Sequence, residues 1–214
     1  MSPLMAALIG AFLIPLFIAS WRISLLGLAC QGLLMAWMAL QKHPGFAPAD
    51  GWDGWITLAD LALIRGIALP AALYGVLHSQ NAPYRNNLIS PNLWSWTVSL
   101  GIVLLACNFS SLLVEGQGES RYVAAVVAAG VMLGLLILAT PSTGMFNQIV
   151  GVLYIENAIA FFEQGGESRS EPIALKLGQV AAVSLTFLFY RWYLSTVGKE
   201  SAIELPESLE EPTV

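Results

Sequence analysis

The stretch Gly144-Met-Phe-Asn-Gln-Ile-Val-Gly-Val-Leu-Tyr-Ile-Glu-Asn-Ala-Ile-Ala-Phe-Phe162 decides how the chain is read. It is an apolar run of membrane-crossing length with one acid, Glu156, near its middle and Asn157 directly after it. A carboxylate at the centre of a bilayer costs about 3 kcal/mol or more. It must therefore be paired, protonated or turned toward an internal cavity, and such residues mark ion or proton paths.

The rest of the chain has the same character. Of 214 residues, 57% are hydrophobic and 11% are charged, less than half the roughly 25% charged of soluble domains. About 20 mainly apolar residues are needed to cross the hydrocarbon as a helix. Seven stretches qualify, at approximately 3–20, 24–41, 56–77, 95–114, 121–139, 144–163 and 173–196. The expected fold is an all-α integral membrane protein, a seven-helix bundle forming a single membrane domain over 1–199. Connections 42–55 and 78–94 are rich in Pro, Gly, Asn and Trp. The acidic tail 200–214 supplies much of the net charge of −5 and reads as solvated and disordered. Such a tail argues against nucleic acid and anionic lipid as its partners.

The first segment has no basic n-region and no small-residue cleavage site before Trp21-Arg22, so it is expected to be retained as a helix. Counting flanking basic residues places Lys42, Arg121 and Arg169 on one side of the membrane, and Arg22, Arg85, Arg191 and Lys199 on the other. The positive-inside rule then puts the N-terminus outside and the C-terminus in the cytoplasm. Trp52, Trp55, Trp94, Trp96 and Trp192 suit an interfacial belt. Cys30 and Cys107 lie far apart within apolar segments and read as small buried hydrophobes, while His43 and His78 are isolated. Two Cys and two His so placed make no standard four-ligand site, so no metal, haem, flavin or cluster is expected in this chain.

The third segment repeats the theme of costly residues. Asp60 stands one turn inside its start and Arg65 near its middle, in Leu58-Ala-Asp-Leu-Ala-Leu-Ile-Arg-Gly-Ile-Ala-Leu-Pro70. Pro70 cannot donate to the Gly66 carbonyl, so a kink is expected beside the guanidinium. Five residues span roughly 140° around an ideal α-helix, so an ion pair between Asp60 and Arg65 is not expected, and each should find its partner on another helix. Asp60 reads equally well as an interfacial residue suited to the helix dipole. In segment six, Glu163 follows Glu156 by seven residues, on one face and about 10.5 Å along the axis. Glu163 is either an entry step or simply the last residue before a polar loop. Lys176 opens segment seven and either snorkels to the interface or turns toward Glu156. Gln31-Gly32 in the second segment, and Asn108, Ser110 and Ser111 in the fourth, read as helix-packing residues. Gly151, ahead of Glu156, is expected to loosen helix six locally.

Three motifs together resemble one family. Gln31-Gly32, Arg65-Gly-Ile-Ala-Leu-Pro70 and Gln148-Ile-Val-Gly-Val-Leu-Tyr-Ile-Glu-Asn-Ala-Ile159 look like the E-type membrane subunit of hydrogenase-4-type complexes. The last three segments are also similar to the small K-type subunit of respiratory complex I. There the central helix carries Gly-Leu-Glu-x-x-x-Asn-Ala. Gly151, Asn157 and Ala158 fall in register with it, while the acid is Glu156 instead of standing at Leu153, nearly the same face one turn away. The final helix departs from the family in having Lys176 after Pro172, and Ala182 where an acid is expected. Thr140-Pro-Ser-Thr-Gly144 lacks the paired arginines of the K-type loop.

The resemblance implies a subunit in the membrane arm of an energy-converting complex in a bacterial or archaeal cell membrane. Its partners would be antiporter-like subunits and a peripheral redox arm holding iron–sulfur clusters and a nickel–iron or quinone site. Glu156 would carry a proton or sodium ion, with Arg65, Lys176, Asp60 and Glu163 as further relay residues. The alternative is a purely structural subunit without ion conduction. An independent enzyme has no support in the sequence, which shows no nucleophile elbow, phosphate loop or ligand cluster.

Overall fold

The computed structural model describes residues 3–42, 51–80, 85–113, 119–140, 144–165 and 173–203, with a few side chains at the ends of these ranges excepted. Their secondary structure is helical: α1 (Pro3–Phe17), α2 (Trp21–Lys42), α3 (Gly51–Ala59), a π-helical segment (Asp60–Ala68), α4 (Leu69–Ser79), α5 (Leu93–Leu113), α6 (Glu119–Ala139), α7 (Met145–Gly165) and α8 (Ile173–Ile203). α3, the π segment and α4 follow one another without a break, so the expected segments each correspond to one helical rod. Five described helical stretches are long and apolar enough to cross a membrane: Trp21–Gln41, Gly54–Ser79, Leu93–Ser110, Ser120–Ala139 and Met145–Gln164. α1 is apolar but shorter, and α8 is not among the five. Helices suit lipid because every backbone polar group is satisfied within the segment. The expected tail from 200 overlaps the end of α8, and residues 204–214 lie outside the described residues.

α7 packs most extensively against α6 and also touches α2; α2 lies against α1 and the π segment; α5 flanks α6. The core centres on α1, α2, α6, α7 and the π segment. Tyr154 and Phe12 meet there edge to face, with ring centroids 5.2 Å apart. Outer faces carry exposed Leu, Ile, Phe and Trp side chains, including Trp55, Trp94, Trp96 and Trp192 of the expected belt. Trp52 lies outside the residues whose side chains are described.

Close backbone approach fixes two of the helix pairs. A Cβ on Gly32 would stand 2.5 Å from the Gly66 nitrogen and 2.7 Å from its Cα, so α2 and the π segment touch through bare backbone. On the other side of the core, a Cβ on Gly134 would meet the Gly151 carbonyl oxygen at 2.7 Å. Small residues of this kind let membrane helices approach closely. Gly151 thus serves packing, and α7 is one uninterrupted α-helix from Met145 to Gly165, contrary to the loosening expected there.

The irregularity lies in the third rod instead. Over nine residues, Asp60–Ala68, the backbone is π-helical, and the Leu69 N–H donates to the Ile64 carbonyl five residues back. The sequence supplies a reason. Pro70 has no N–H to continue the α ladder, and Gly66 lowers the cost of leaving it. The anticipated irregularity therefore takes the form of a widened helix from Asp60 to Ala68, just ahead of Pro70. Ser110 donates to the Cys107 carbonyl and Asn108 to the Leu104 carbonyl of their own helix, and the Ser111 side chain is outside those described.

Gly32→Leu should force α2 away from the π segment. The expected cost is about 1–3 kcal/mol or more, seen as a lowered unfolding midpoint in detergent. Gly101→Ala points into open space and should leave that midpoint within about 0.5 kcal/mol.

Candidate functional site

The π segment, α7, α2 and α1 bring four polar side chains into one buried chain of hydrogen bonds. Arg65 is 8% exposed. Its Nε donates to Oδ2 of Asp60 at 3.0 Å, and its Nη1 donates to Oδ1 of Asn157 at 3.1 Å. Asn157 Nδ2 donates to Oε1 of Gln31 at 2.9 Å, and Gln31 Nε2 donates to the Ala11 carbonyl at 3.2 Å. Asn157 and Gln31 are both nearly inaccessible. Each amide presents its oxygen to a donor and its nitrogen to an acceptor, so neither end is left without a partner in a low-dielectric surrounding.

The Asp60–Arg65 ion pair corrects the expectation drawn from ideal α geometry. Residues five apart diverge by roughly 140° on an α-helix. In a π-helix, i→i+5 bonding brings them back to nearly the same side. The pair is therefore a product of the π segment, and side-chain exposures of 9% and 14% keep it largely out of solvent. Arg65 also finds the interhelical partner that was expected, in Asn157 of α7.

Glu156 stands beside this chain without joining it. Arg65 and Asp60 are the charges within electrostatic reach of its carboxyl, and Tyr190 of α8 lies within reach as well. Its Oε2 is buried and finds no hydrogen-bond donor among the described residues; the same holds for Oδ1 of Asp60. Two carboxyls thus share the field of one guanidinium whose bonds go to Asp60 and Asn157. Ionising the second acid would leave the group with net negative charge in an apolar surrounding, so its charge must be balanced by a proton or another cation. That two-state choice is the chemistry such an arrangement can perform.

The remaining sequence candidates divide. Glu163 lies on the exposed end of α7 and accepts from Gln179 Nε2 of α8 at 3.3 Å. Lys176 falls on α8, but its side chain is outside those described. Among the described residues no group of three or more His, Cys, Asp or Glu could hold a metal ion. His78 stacks on Tyr74, with ring centroids 5.7 Å apart, and His43 is outside the described residues. Cys30 and Cys107 are free, half-buried thiols. Sequence reasoning assigns Gln31 to packing alone, whereas it is the link between Asn157 and α1. The signal for it is an amide, next to a glycine, in the middle of an apolar span. No family model, curated protein or solved structure matches the chain.

Removing one member of a buried pair strands the other. Arg65→Gln should therefore destabilise the protein by about 3–5 kcal/mol. In a double-mutant cycle with Asp60→Asn, measured by unfolding in mixed micelles, the expected coupling is about 0.5–3 kcal/mol. Additive single effects would contradict the pairing.

Proposed function

We propose that the chain is a membrane-arm subunit of an energy-converting complex related to hydrogenase-4 and respiratory complex I. In this reading Glu156 takes up and releases the transported cation, a proton or a sodium ion, under the field of the Asp60–Arg65 pair. One observation carries it: a carboxyl oxygen of Glu156 is buried without a donor among the described residues, beside an arginine already bonded to Asp60 and Asn157. A group held only for structure would be expected to have its bonds filled. The similarity of the Gly151 to Ala158 stretch to the K-type helix points the same way.

On this reading all seven rods span a cell membrane, with α6, α7 and α8 as the K-like unit, the N-terminus outside and the C-terminus in the cytoplasm. Antiporter-like subunits and a redox arm are the partners, and the redox cofactors reside in that arm. The competing reading, a structural subunit without conduction, draws on the bonded run from Arg65 to Ala11, which by itself is a strut tying four helical elements.

Glu156→Gln separates the two. Glutamine keeps the shape and cannot exchange a proton. Assembly, followed by co-purification in mild detergent, should be unchanged. Redox-driven ion uptake by membrane vesicles should fall by at least about an order of magnitude. Unchanged uptake, with loss of assembly in Arg65→Ala, would favour the structural reading.

A further inference from the structure

Away from the central cluster, a second polar feature lies where the rods end. Residues 85–92, which lead into α5, lie against the start of α7 and border a half-open cavity of about 290 Å³. Its surroundings include Arg85, Asn86, Asn87, Ile89, Ser90 and Asn147. Asn147 is 2% exposed and holds the wall together: its Oδ1 accepts from Asn86 Nδ2 at 2.6 Å, and its Nδ2 donates to the Asn87 carbonyl at 2.7 Å. Ile89, 2% exposed, anchors the same connection in the core. With Asn147 occupied in holding the wall, Arg85 is the charged group left facing the cavity. Among the described residues no acid lines the cavity and no carboxylate pairs with Arg85.

We propose that this cavity binds a phosphate-bearing anion, held by the Arg85 guanidinium with help from the neighbouring hydroxyl and amide groups. A guanidinium presents a fork of N–H donors that matches two phosphate oxygens at once. A volume near 300 Å³ is at the lower end for small-ligand pockets and suits a headgroup better than a larger molecule. The placement favours a lipid as the source. The candidate spans end at Ser79, begin at Leu93, end at Ala139 and begin at Met145, so the cavity sits at the ends of four of them. Leu93 and Trp94, which open α5, are 78% and 76% exposed, and they offer an apolar rim for acyl chains beside the phosphate. Basic pockets at the ends of membrane helices bind anionic headgroups in this way.

The test uses the full chain in a mild neutral detergent, titrated with short-chain phosphatidylglycerol, short-chain phosphatidylcholine or inorganic phosphate. Binding is followed by intrinsic tryptophan fluorescence and by the shift in unfolding midpoint. Phosphatidylglycerol should bind at least about tenfold more tightly than phosphatidylcholine, and Arg85→Gln should remove about that factor. Arg22→Gln, also at a helix end but outside the cavity, should leave binding unchanged. If inorganic phosphate binds with the same dependence on Arg85, the anion site stands and its source is a soluble phosphate. Equal binding of the two lipids, or equal loss in Arg22→Gln and Arg85→Gln, would overturn the proposal. Arg85 is exposed, so its replacement does not disturb the core, and Ser90→Ala gives a second, milder reading of the same cavity.

Discussion

A guanidinium in the apolar interior of a helical bundle is the constraint on which the other features depend. A guanidinium is a permanent cation in proteins, so the charge that Arg65 brings must be compensated where it stands. Asp60 compensates the charge, and Asn157 takes a further donor. Each requirement then imposes another. Asp60 reaches Arg65 because the backbone between them is π-helical. The π segment lies against α2 at a point where Gly32 and Gly66 leave no room for a side chain. Asn157, once it accepts from Arg65, needs an acceptor for its own nitrogen, which Gln31 supplies from the residue next to Gly32. Gln31 in turn reaches across to the Ala11 carbonyl of α1. One buried charge thus positions four helical elements through directional bonds. Apolar packing between helices in lipid cannot provide such direction, because the tails are as apolar as the side chains.

The helical rods were legible because each is a long apolar run, and five of the described stretches have the length and composition that crossing a membrane demands. The costly residues were legible for the same reason: Glu156, Arg65 and Asp60 stand out against an apolar background. Their pairing was not legible. It depends on a change of helical period between Asp60 and Ala68, and the sequence announces that change only through Pro70 and Gly66, which are equally consistent with an ordinary kink. Gly151 misled in the opposite sense. A glycine ahead of a buried acid suggested a loosened helix, whereas close approach of α6 at Gly134 accounts for it. Gln31 was undervalued because an amide in a span is commonly a packing residue, and only its distance from Asn157 shows that it continues the chain from Arg65.

The direction of that chain bears on where an ion could travel. From Arg65 to Asn157, Gln31 and the Ala11 carbonyl, each link donates in one direction, through a guanidinium and amides that do not release protons. Such a run is a fixed dipole and cannot relay a proton. Two acids stand beside it, and they are unequal: Asp60 keeps one oxygen on Arg65, whereas Oε2 of Glu156 finds no donor among the described residues. If Asp60 lost its hold on Arg65, the guanidinium would have a donor free for another acceptor, and Glu156 is the acid within its reach. With the pair intact, the bonds of that guanidinium go to Asp60 and Asn157. Under the proposed function, whatever shifts the Asp60–Arg65 contact would change the cation demand of Glu156. The π segment, as the geometry that makes the contact possible, is then the element through which a partner protein would act on the acid.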